Sequence, residues 1–312
     1  MMRYIPLNKK AFALSITLWI VAALLFAIAT LATLSKDSFY LTKGLNDKLK
    51  TQLIAEDVLE SLKFYVLTAN FDSASFKTAI FDDFKYKFPH QIVADNRWYI
   101  IDENISLRVQ DTSNMLNVMK TSPVTIANLA TNSEQRQLRY VIEDSINDWK
   151  DKDNIVSLNG AESSKYELQA NLKYKIRNSV AIQNEEELRL INGISAIEEQ
   201  KWKILKTKLY YGEGNIANLA LVDANYLGFL LNINESQANA LIQTRKTNMA
   251  KFIKLAYQSK EFNEEHMAFV LSKQLKIEIR VNAQNATSII LTLIDFQLKR
   301  NHVYSIIKYK IK

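Results

Sequence analysis

No cysteine occurs among the 312 residues, which excludes disulfide bonds and thiolate metal sites but leaves the cellular compartment open. Glycine and proline are scarce, with six and three residues, so few signals mark linkers between domains. The three histidines, His90, His266 and His302, stand far apart, and the chain has no nucleotide-binding or hydrolase motif. The sequence therefore gives little support to catalysis, and we expect a protein that is not an enzyme.

The charge balance is only mildly basic. The formal net charge is +7, and Arg3, Lys9 and Lys10 supply three of these charges at the start of the chain. The remaining excess is too small to argue for nucleic acid as a partner. Hydrophobic residues make up 48% of the chain, which is enough for one large core or two modest ones, so we expect a folded head.

An apolar run without a charged side chain extends from Phe12 to Leu34. At about 1.5 Å per residue, a helix of this length covers a hydrocarbon core of about 30 Å. It is longer than the apolar region of about 7–15 residues in a secretory signal peptide, and a buried core helix is the alternative. The basic residues before the run place the N-terminus in the cytoplasm. We therefore expect a single pass through the inner membrane, with everything from about Ser35 in the periplasm.

Helical periodicity continues beyond this span. Apolar residues recur at steps of four or five, which predicts an amphipathic stem helix over residues 35–68 whose apolar stripe packs against the head. A separate helix, after a break near Ser35 or Gly44, is the alternative. The stripe consists of Leu45, Leu49, Leu53, Val58, Leu62 and Val66.

The start of the chain, LNKKA followed by FALSITLWIVA, resembles the class III leader of type IV pilins and pseudopilins. The resemblance implies a leader of residues 1–11, cut by a prepilin peptidase between Ala11 and Phe12, and methylation of the new N-terminal Phe12. Two residues depart from the usual pattern. Ala11 replaces the usual glycine before the cut, and Ile16 replaces the usual glutamate at the fifth mature position.

The missing glutamate narrows the resemblance. A carboxylate in an apolar bundle needs a positive partner, which in this family is the amine of the neighbouring subunit. A subunit without it suits the tip of the filament, and the pseudopilin that usually lacks this glutamate belongs to the general secretion pathway protein K family of type II secretion. Three blocks resemble that family in order, a looser match follows at 215–252, and Asn114–Asn117, upstream of the blocks, resembles a further short element of the family. The three blocks are NDWKDKDN at 147–154, NGAESSKY at 159–166 and EEELRLINGI at 185–194.

This resemblance implies a minor pseudopilin that caps the tip of the periplasmic pseudopilus, initiates its assembly and so supports protein export. Its partners would be the other minor pseudopilins, the major pseudopilin, the prepilin peptidase and the assembly platform of the inner membrane. Two alternatives remain: a tip subunit of a type IV pilus or competence filament that contacts DNA, and a bitopic receptor with a periplasmic ligand-binding head.

The expected fold class is α+β, with a pseudopilin antiparallel sheet interrupted by a large helical domain of helix-hairpin-helix type. We expect the sheet in residues 69–123 and 275–312 and the helical domain in residues 124–274. Residues 70–89 show no clear period and are interpreted as a loop that could hold a short helix. Trp98, Trp149 and Trp202 are interpreted as core residues. Alternating or branched apolar residues predict strands at 97–101, 105–109, 276–281, 288–297 and 303–309.

The strongest candidate site is an acidic group made of Asp148, Asp151, Asp153 and Glu162. Hard oxygen ligands at short spacing can bind Ca²⁺, and the resemblance implies a structural calcium in this helical domain. The alternative is a loop held by Asx turns and surface ion pairs, because two lysines interrupt the acidic run. Two segments, 185–193 and 231–245, are similar to halves of a DNA-binding helix-hairpin-helix. The glutamates around the first half would repel phosphate, so we do not expect nucleic acid there.

Overall fold

The computed structural model describes residues 9–78, 85–132, 134–168, 182–212, 214, 216–297 and 302–312, with side chains from residue 14 onward. Residues 1–8 of the expected leader and Asn215 of the looser family match lie outside this part of the chain. The side chains of Ala11 and Phe12 also lie outside it, although both residues are in the first helix.

The first helix, α1, runs without a break from Lys9 to Thr68 and contains 60 residues. The expected continuation of the membrane span into the stem is confirmed, and the alternative break near Ser35 or Gly44 is wrong. Gly44 lies inside this helix and does not interrupt it. Within the described chain, α1 is the one helix long and apolar enough to cross a membrane.

The stem packs on the head by a different face from the one expected. Val58, Leu62 and Val66 are buried, whereas Leu45, Leu49 and Leu53 are 56–63% exposed. The prediction that the whole stripe faces the head is therefore wrong for its first three members. The cause is the five-residue step from Leu53 to Val58, which turns the helix face by about 140° at 3.6 residues per turn.

A five-stranded antiparallel sheet packs against the second half of α1. Its strand order is β12-β11-β10-β5-β4, so strands from both ends of the sequence form one layer. All five strands predicted from alternation are confirmed. Their bounds are Asp95–Asp102 for β4, Ile105–Asp111 for β5, Gln274–Asn282 for β10, Thr287–Asp295 for β11 and Ser305–Ile311 for β12.

The core of the head lies between α1 and this sheet. Alternate strand residues such as Leu107, Ile277 and Ile279 point at α1 and are fully buried with Leu62 and Tyr65. Because side chains alternate along a strand, their sequence neighbours point to the opposite face.

Of the three tryptophans interpreted as core residues, two are buried and one is not. Trp149 and Trp202 are 3% and 4% exposed, as expected. Trp98 is 41% exposed, so that interpretation is wrong for it. Tyr99 packs partly buried against the core, and the alternation of the strand therefore places Trp98 on the face away from α1.

Residues 70–77 and 91–93 form a small three-stranded antiparallel sheet in the head, and its first two strands lie in the segment 70–89, where we expected a loop. Its strands are two or three residues long, too short to give a recognisable alternation. No helix occurs in the described residues of the segment, while 79–84 lie outside the description. The strand bounds are Asn70–Phe71 for β1, Ser75–Lys77 for β2 and Gln91–Val93 for β3.

Between β5 and β10 the described residues form seven α-helices and four two-residue strands. The helices are α2 Pro123–Ala130, α3 Arg136–Lys150, α4 Ser163–Leu168, α5 Glu199–Thr207, α6 Ala224–Leu231, α7 Glu235–Thr247 and α8 Met249–Tyr257. The short strands are β6 Leu116–Asn117, β7 Leu209–Tyr210, β8 Ala217–Asn218 and β9 Met267–Ala268, paired in parallel as β6 with β7 and β8 with β9.

These helices enclose two separate hydrophobic clusters. The first surrounds Trp149, Tyr166 and Ile182, and the second surrounds Leu227 and Phe252. Each cluster is built from residues close in sequence, so each helical group is packed around its own centre.

One buried carboxylate joins the two places where the chain passes between the sheet and the helical segment. No sequence pattern pointed to this residue. Asp111, at the end of β5, accepts hydrogen bonds from the backbone N–H and hydroxyl of Ser113 and of Ser272. Ser272 lies just before β10, where the chain returns to the sheet. Asp111 thus holds the exit and the return of the helical segment together.

Candidate assembly helix and cation site

The N-terminal half of α1 presents apolar side chains to its surroundings on every side. Ile16 is 43% exposed, and Trp19 and Phe26 are 76% and 73% exposed. Between Phe12 and Leu34 no charged residue occurs. An apolar helix surface of this extent requires lipid or other helices around it.

Apolar exposure does not end with the membrane span. Four leucines at steps of four, with side chains 56–66% exposed, continue it along the stem; we call them the leucine ridge, Leu41, Leu45, Leu49 and Leu53. Residues four apart on a helix form a ridge that packs into the groove of a second helix. The head contacts α1 from Asp47 and Lys48 onward, but the leucine ridge stays exposed beside these contacts and is available for such packing.

An acidic cluster lies where α3 ends and α4 begins. Asp148 is in the last turn of α3, Asp151 follows its end, and Glu162 directly precedes α4. One carboxylate oxygen from each of the three residues lies within 4.8 Å of those of the other two. Asp148 and Glu162 are 0% and 2% exposed.

The hydrogen bonds of the acidic cluster are incomplete. Both carboxylate oxygens of Glu162 and the Oδ1 of Asp151 are buried with no hydrogen-bond partner. A buried carboxylate oxygen without a donor is costly, so native proteins pair such groups with donors or cations. The acidic cluster therefore has unused ligand atoms at its centre.

The loop between α3 and α4 closes tightly around Asp148. The backbone N–H and the hydroxyl of Ser157 both donate to its carboxylate. A Cβ at Gly160 would lie 2.0 Å from Asp148 Oδ2, so only glycine fits at this position of the GAE block. The glycine permits the loop backbone to approach the carboxylate directly.

The electrostatics of the acidic cluster follow from its burial and from its like charges. Burial raises the pKa of Glu162 above 4.5, and the nearby charges of Asp148 and Asp151 raise it further. Burial and the charges of Asp153 and Asp148 likewise raise the pKa of Asp151. These carboxylates must therefore share protons or face a cation. Oxygen ligands alone fit Ca²⁺, which prefers six to eight of them.

Asp153 and the two interrupting lysines take other positions. Asp153 is exposed and accepts a hydrogen bond from the N–H of Ile155, so it is not one of the three clustered carboxylates. Lys150 is half-buried, and burial lowers its pKa. Among the described residues, no ion pair joins Lys150 or Lys152 to the acidic cluster. The structure thus brings together three of the four candidate ligands.

The two segments similar to helix-hairpin-helix halves use their arginines internally. Arg189 donates to the carbonyls of Ile194 and Ile197, and Arg245 donates to the carbonyls of Leu219 and Val222. Each guanidinium thus binds two backbone carbonyls that lie outside its own segment, after it for Arg189 and before it for Arg245. Glu187, one of the glutamates, accepts from the indole of Trp149 in the first hydrophobic cluster. These contacts are those of a structural element.

Comparisons with known proteins agree with this architecture. The family described as type II secretion system, protein K, matches residues 109–203, which include the acidic cluster. A chain in the crystal structure of the GspK-GspI-GspJ complex from the type 2 secretion system of enterotoxigenic Escherichia coli is similar, with a TM-score of 0.56 and 15% identity. The similarity covers 85% of this chain and 95% of that chain. No curated protein matches this chain. The expected resemblance to protein K of type II secretion is therefore confirmed, in sequence over residues 109–203 and in fold over most of the chain.

Proposed function

We propose that this chain is a minor pseudopilin of a type II secretion system, which caps the tip of the periplasmic pseudopilus and initiates its assembly. The observation that carries the proposal is α1, a single helix whose apolar first half and leucine ridge both remain uncovered by the head. In the membrane, lipid covers the first half. In a filament, the same surface packs against the helices of other pseudopilins, exchanging lipid contact for helix packing.

The tip position is supported by residue 16 and by the size of the head. Ile16 offers no carboxylate to the amine of a preceding subunit, so no subunit is required ahead of this one. The two helical clusters inserted into the sheet make the head broad. A broad head is accommodated at a filament end more readily than within the shaft. The role is structural rather than catalytic.

The partners in this role are the other minor pseudopilins and the major pseudopilin, through α1. The GspK-GspI-GspJ complex of the similar structure supports the first of these. Before assembly the chain would meet the prepilin peptidase, which cuts between Ala11 and Phe12, and the assembly platform of the inner membrane. The N-terminus lies in the cytoplasm and the head in the periplasm.

We also propose that Asp148, Asp151 and Glu162 hold a structural Ca²⁺. Their buried oxygens without hydrogen-bond partners support this assignment. The ion would neutralise the repulsion within the acidic cluster and join the end of α3 to the start of α4. Nothing in the arrangement places a substrate next to it.

The leader supplies the experiment for this function. Ala11→Glu places a large charged residue at the cut, so the leader should remain attached and export should stop. Ala11→Gly, which restores the usual residue, is the matched control and should be processed at least as well as the natural chain. For both variants, the mass of the protein measures leader removal, and the secreted fraction of an exported substrate measures export. Normal processing or export in Ala11→Glu would contradict the proposal.

A further inference from the structure

The sheet face opposite α1 is only partly covered. At one end, Glu185 of the helical segment reaches β12 and accepts a hydrogen bond from Lys308 Nζ at 2.9 Å. Leu293, directly opposite Lys308, is 5% exposed, and burial lowers the pKa of Lys276 beside it to about 8. The covered part of this face therefore ends near these residues.

The rest of this face is partly exposed and has a distinct composition. In β4, Trp98 is 41% and Ile100 is 81% exposed. Directly opposite positions of antiparallel strands share one face. The register links Trp98 to Arg108, Arg108 to Glu278, Glu278 to Leu291 and Leu291 to Lys310. We call this surface the open sheet face, defined by Trp98, Ile100, Arg108, Glu278, Arg280 and Lys310.

Two arginines are held around Trp98. The guanidinium carbons of Arg108 and Arg280 lie 4.7 and 4.9 Å from the centroid of its ring. Both arginines form ion pairs with the same carboxylate, Glu278, whose side chain is only 9% exposed. The arrangement fixes the rotamers of long side chains that surface arginines otherwise leave free, so little conformational entropy remains to be lost on binding.

The positive charges of the open sheet face outnumber its negative charges. One carboxylate serves two guanidinium groups, and the Nε of Arg280 is buried without a hydrogen-bond partner. Lys310, exposed at the other side of the sheet, adds a third positive charge. Three cations therefore face one anion, which favours a ligand with carboxylate groups.

The apolar part of the surface favours a polypeptide over a polyanion. Tryptophan and arginine are the residue types that concentrate binding energy in protein interfaces. Ile100 offers a large aliphatic contact that phosphates would leave uncovered.

The irregular edge strand β4 favours binding on the open sheet face over pairing along the strand edge. β4 is an edge strand, but its register shifts on both sides of Trp98–Ile100, and Asn96 has a φ of 71°. Such irregularities disfavour addition of a further strand. We propose that the open sheet face binds an acidic polypeptide segment, whose carboxylates pair with Arg280 and Lys310 while an apolar side chain packs on Trp98 and Ile100. No residue of this site belongs to α1, so the proposal is independent of the assembly role.

The test uses the full chain in detergent micelles and a fluorescein-labelled eight-residue peptide that alternates glutamate and leucine. Fluorescence anisotropy should detect binding that weakens as salt is added. Arg280→Gln and Trp98→Ala should each raise Kd about tenfold. Lys310→Gln, an exposed change that leaves the fold intact, should raise Kd about threefold. The matched control is Arg136→Gln, because Arg136 also lies over an aromatic ring, that of Tyr140, but in α3.

Three results would overturn the proposal. The first is that the peptide does not bind. The second is that Arg136→Gln weakens binding as much as Arg280→Gln does. The third is that Kd is unchanged in both Trp98→Ala and Lys310→Gln. A single-stranded oligonucleotide and a peptide with lysine in place of glutamate are run in parallel. If the oligonucleotide binds more tightly and loses binding in the same variants, the site is one for nucleic acid and the assignment to a polypeptide is wrong.

Discussion

Among single residues, Glu162 is the one on which the proposed response of the head to calcium depends. Its two carboxylate oxygens are buried and lack donors, so a bound Ca²⁺ would stabilise the folded state. At a hundredfold excess of ion over Kd the gain is about 2.7 kcal/mol, or about 5 °C in Tm for a head of this size. We expect a chelator to lower the Tm of the natural chain by about this amount.

Glu162→Gln should remove that response. In chelator, the Tm of this variant should equal or exceed that of the natural chain, because the variant lacks the uncompensated charge of Glu162. Glu167→Gln, an exposed change on α4, is the matched control and should keep the response. Thermal melting by circular dichroism with Ca²⁺ or chelator measures all three proteins. If the chelator leaves the Tm of the natural chain unchanged, the calcium site is ruled out.

The same carboxylates predict a pH dependence. Because the folded-state pKa of Glu162 is raised above 4.5 and that of Asp151 above 3.8, the folded state without calcium binds protons more tightly than the unfolded state. Stability is therefore lost as pH rises from these unfolded values through the raised folded values.

In chelator, we expect the loss of stability between about pH 4.5 and about pH 7.5 to be larger in the natural chain than in the double variant Asp151→Asn, Glu162→Gln. Urea denaturation at each pH measures the free energy of unfolding. An equal pH dependence in both proteins would show that these carboxylates do not carry the effect.

Single residues also mark the limit of the sequence analysis. The acidic spacing pointed to Asp148, Asp151 and Glu162, yet Asp153 looked equivalent because nothing in the sequence shows which carboxylates turn inward. Trp98 was misjudged for a related reason: a tryptophan in a strand fits either face until its neighbours are known. The hydrogen bonds of Asp111 with Ser272 join residues more than 150 positions apart, and no local sequence pattern indicates such a contact.

Among the elements, the strands of the five-stranded sheet were the most predictable, and the packing face of the stem and the short strands of 70–93 were the least. The β-branched, alternating strands of the five-stranded sheet were found from sequence because alternation is a direct consequence of having one buried face. The stem's apolar positions were also found, but their assignment to one face failed at the five-residue step. The strands of 70–93 escaped because two or three residues cannot display a period.

The leucine ridge gives a prediction for the stem. Leu49 is 56% exposed, so Leu49→Lys should change the free energy of unfolding by less than about 0.5 kcal/mol. Export should nevertheless fall, because a charge would then face the neighbouring helix of the filament. Chemical denaturation and the secreted fraction of an exported substrate measure the two effects.

Leu62→Ala serves as the contrasting variant, since Leu62 is fully buried and its loss should cost about 2–5 kcal/mol. A stable Leu49→Lys chain that exports normally would mean that the ridge has no partner helix.

At the scale of the whole molecule, one long helix joins an apolar N-terminal half to a head whose main sheet is formed by strands that precede and follow a two-part helical insertion in the sequence. The sequence indicated this order of parts because the periodicity changes from helical to alternating near residue 275. The division of the insertion into two hydrophobic clusters was not predicted, since helical periodicity does not show which helices pack together.

The central claim is that α1 is cut at its cytoplasmic end and repacked among the helices of related subunits. The most direct measurement is N-terminal sequencing with mass determination of the native protein from its membrane. Our account predicts a chain that begins at a methylated Phe12, without residues 1–11. A chain that still begins at Met1 would contradict it and would leave an ordinary bitopic anchor.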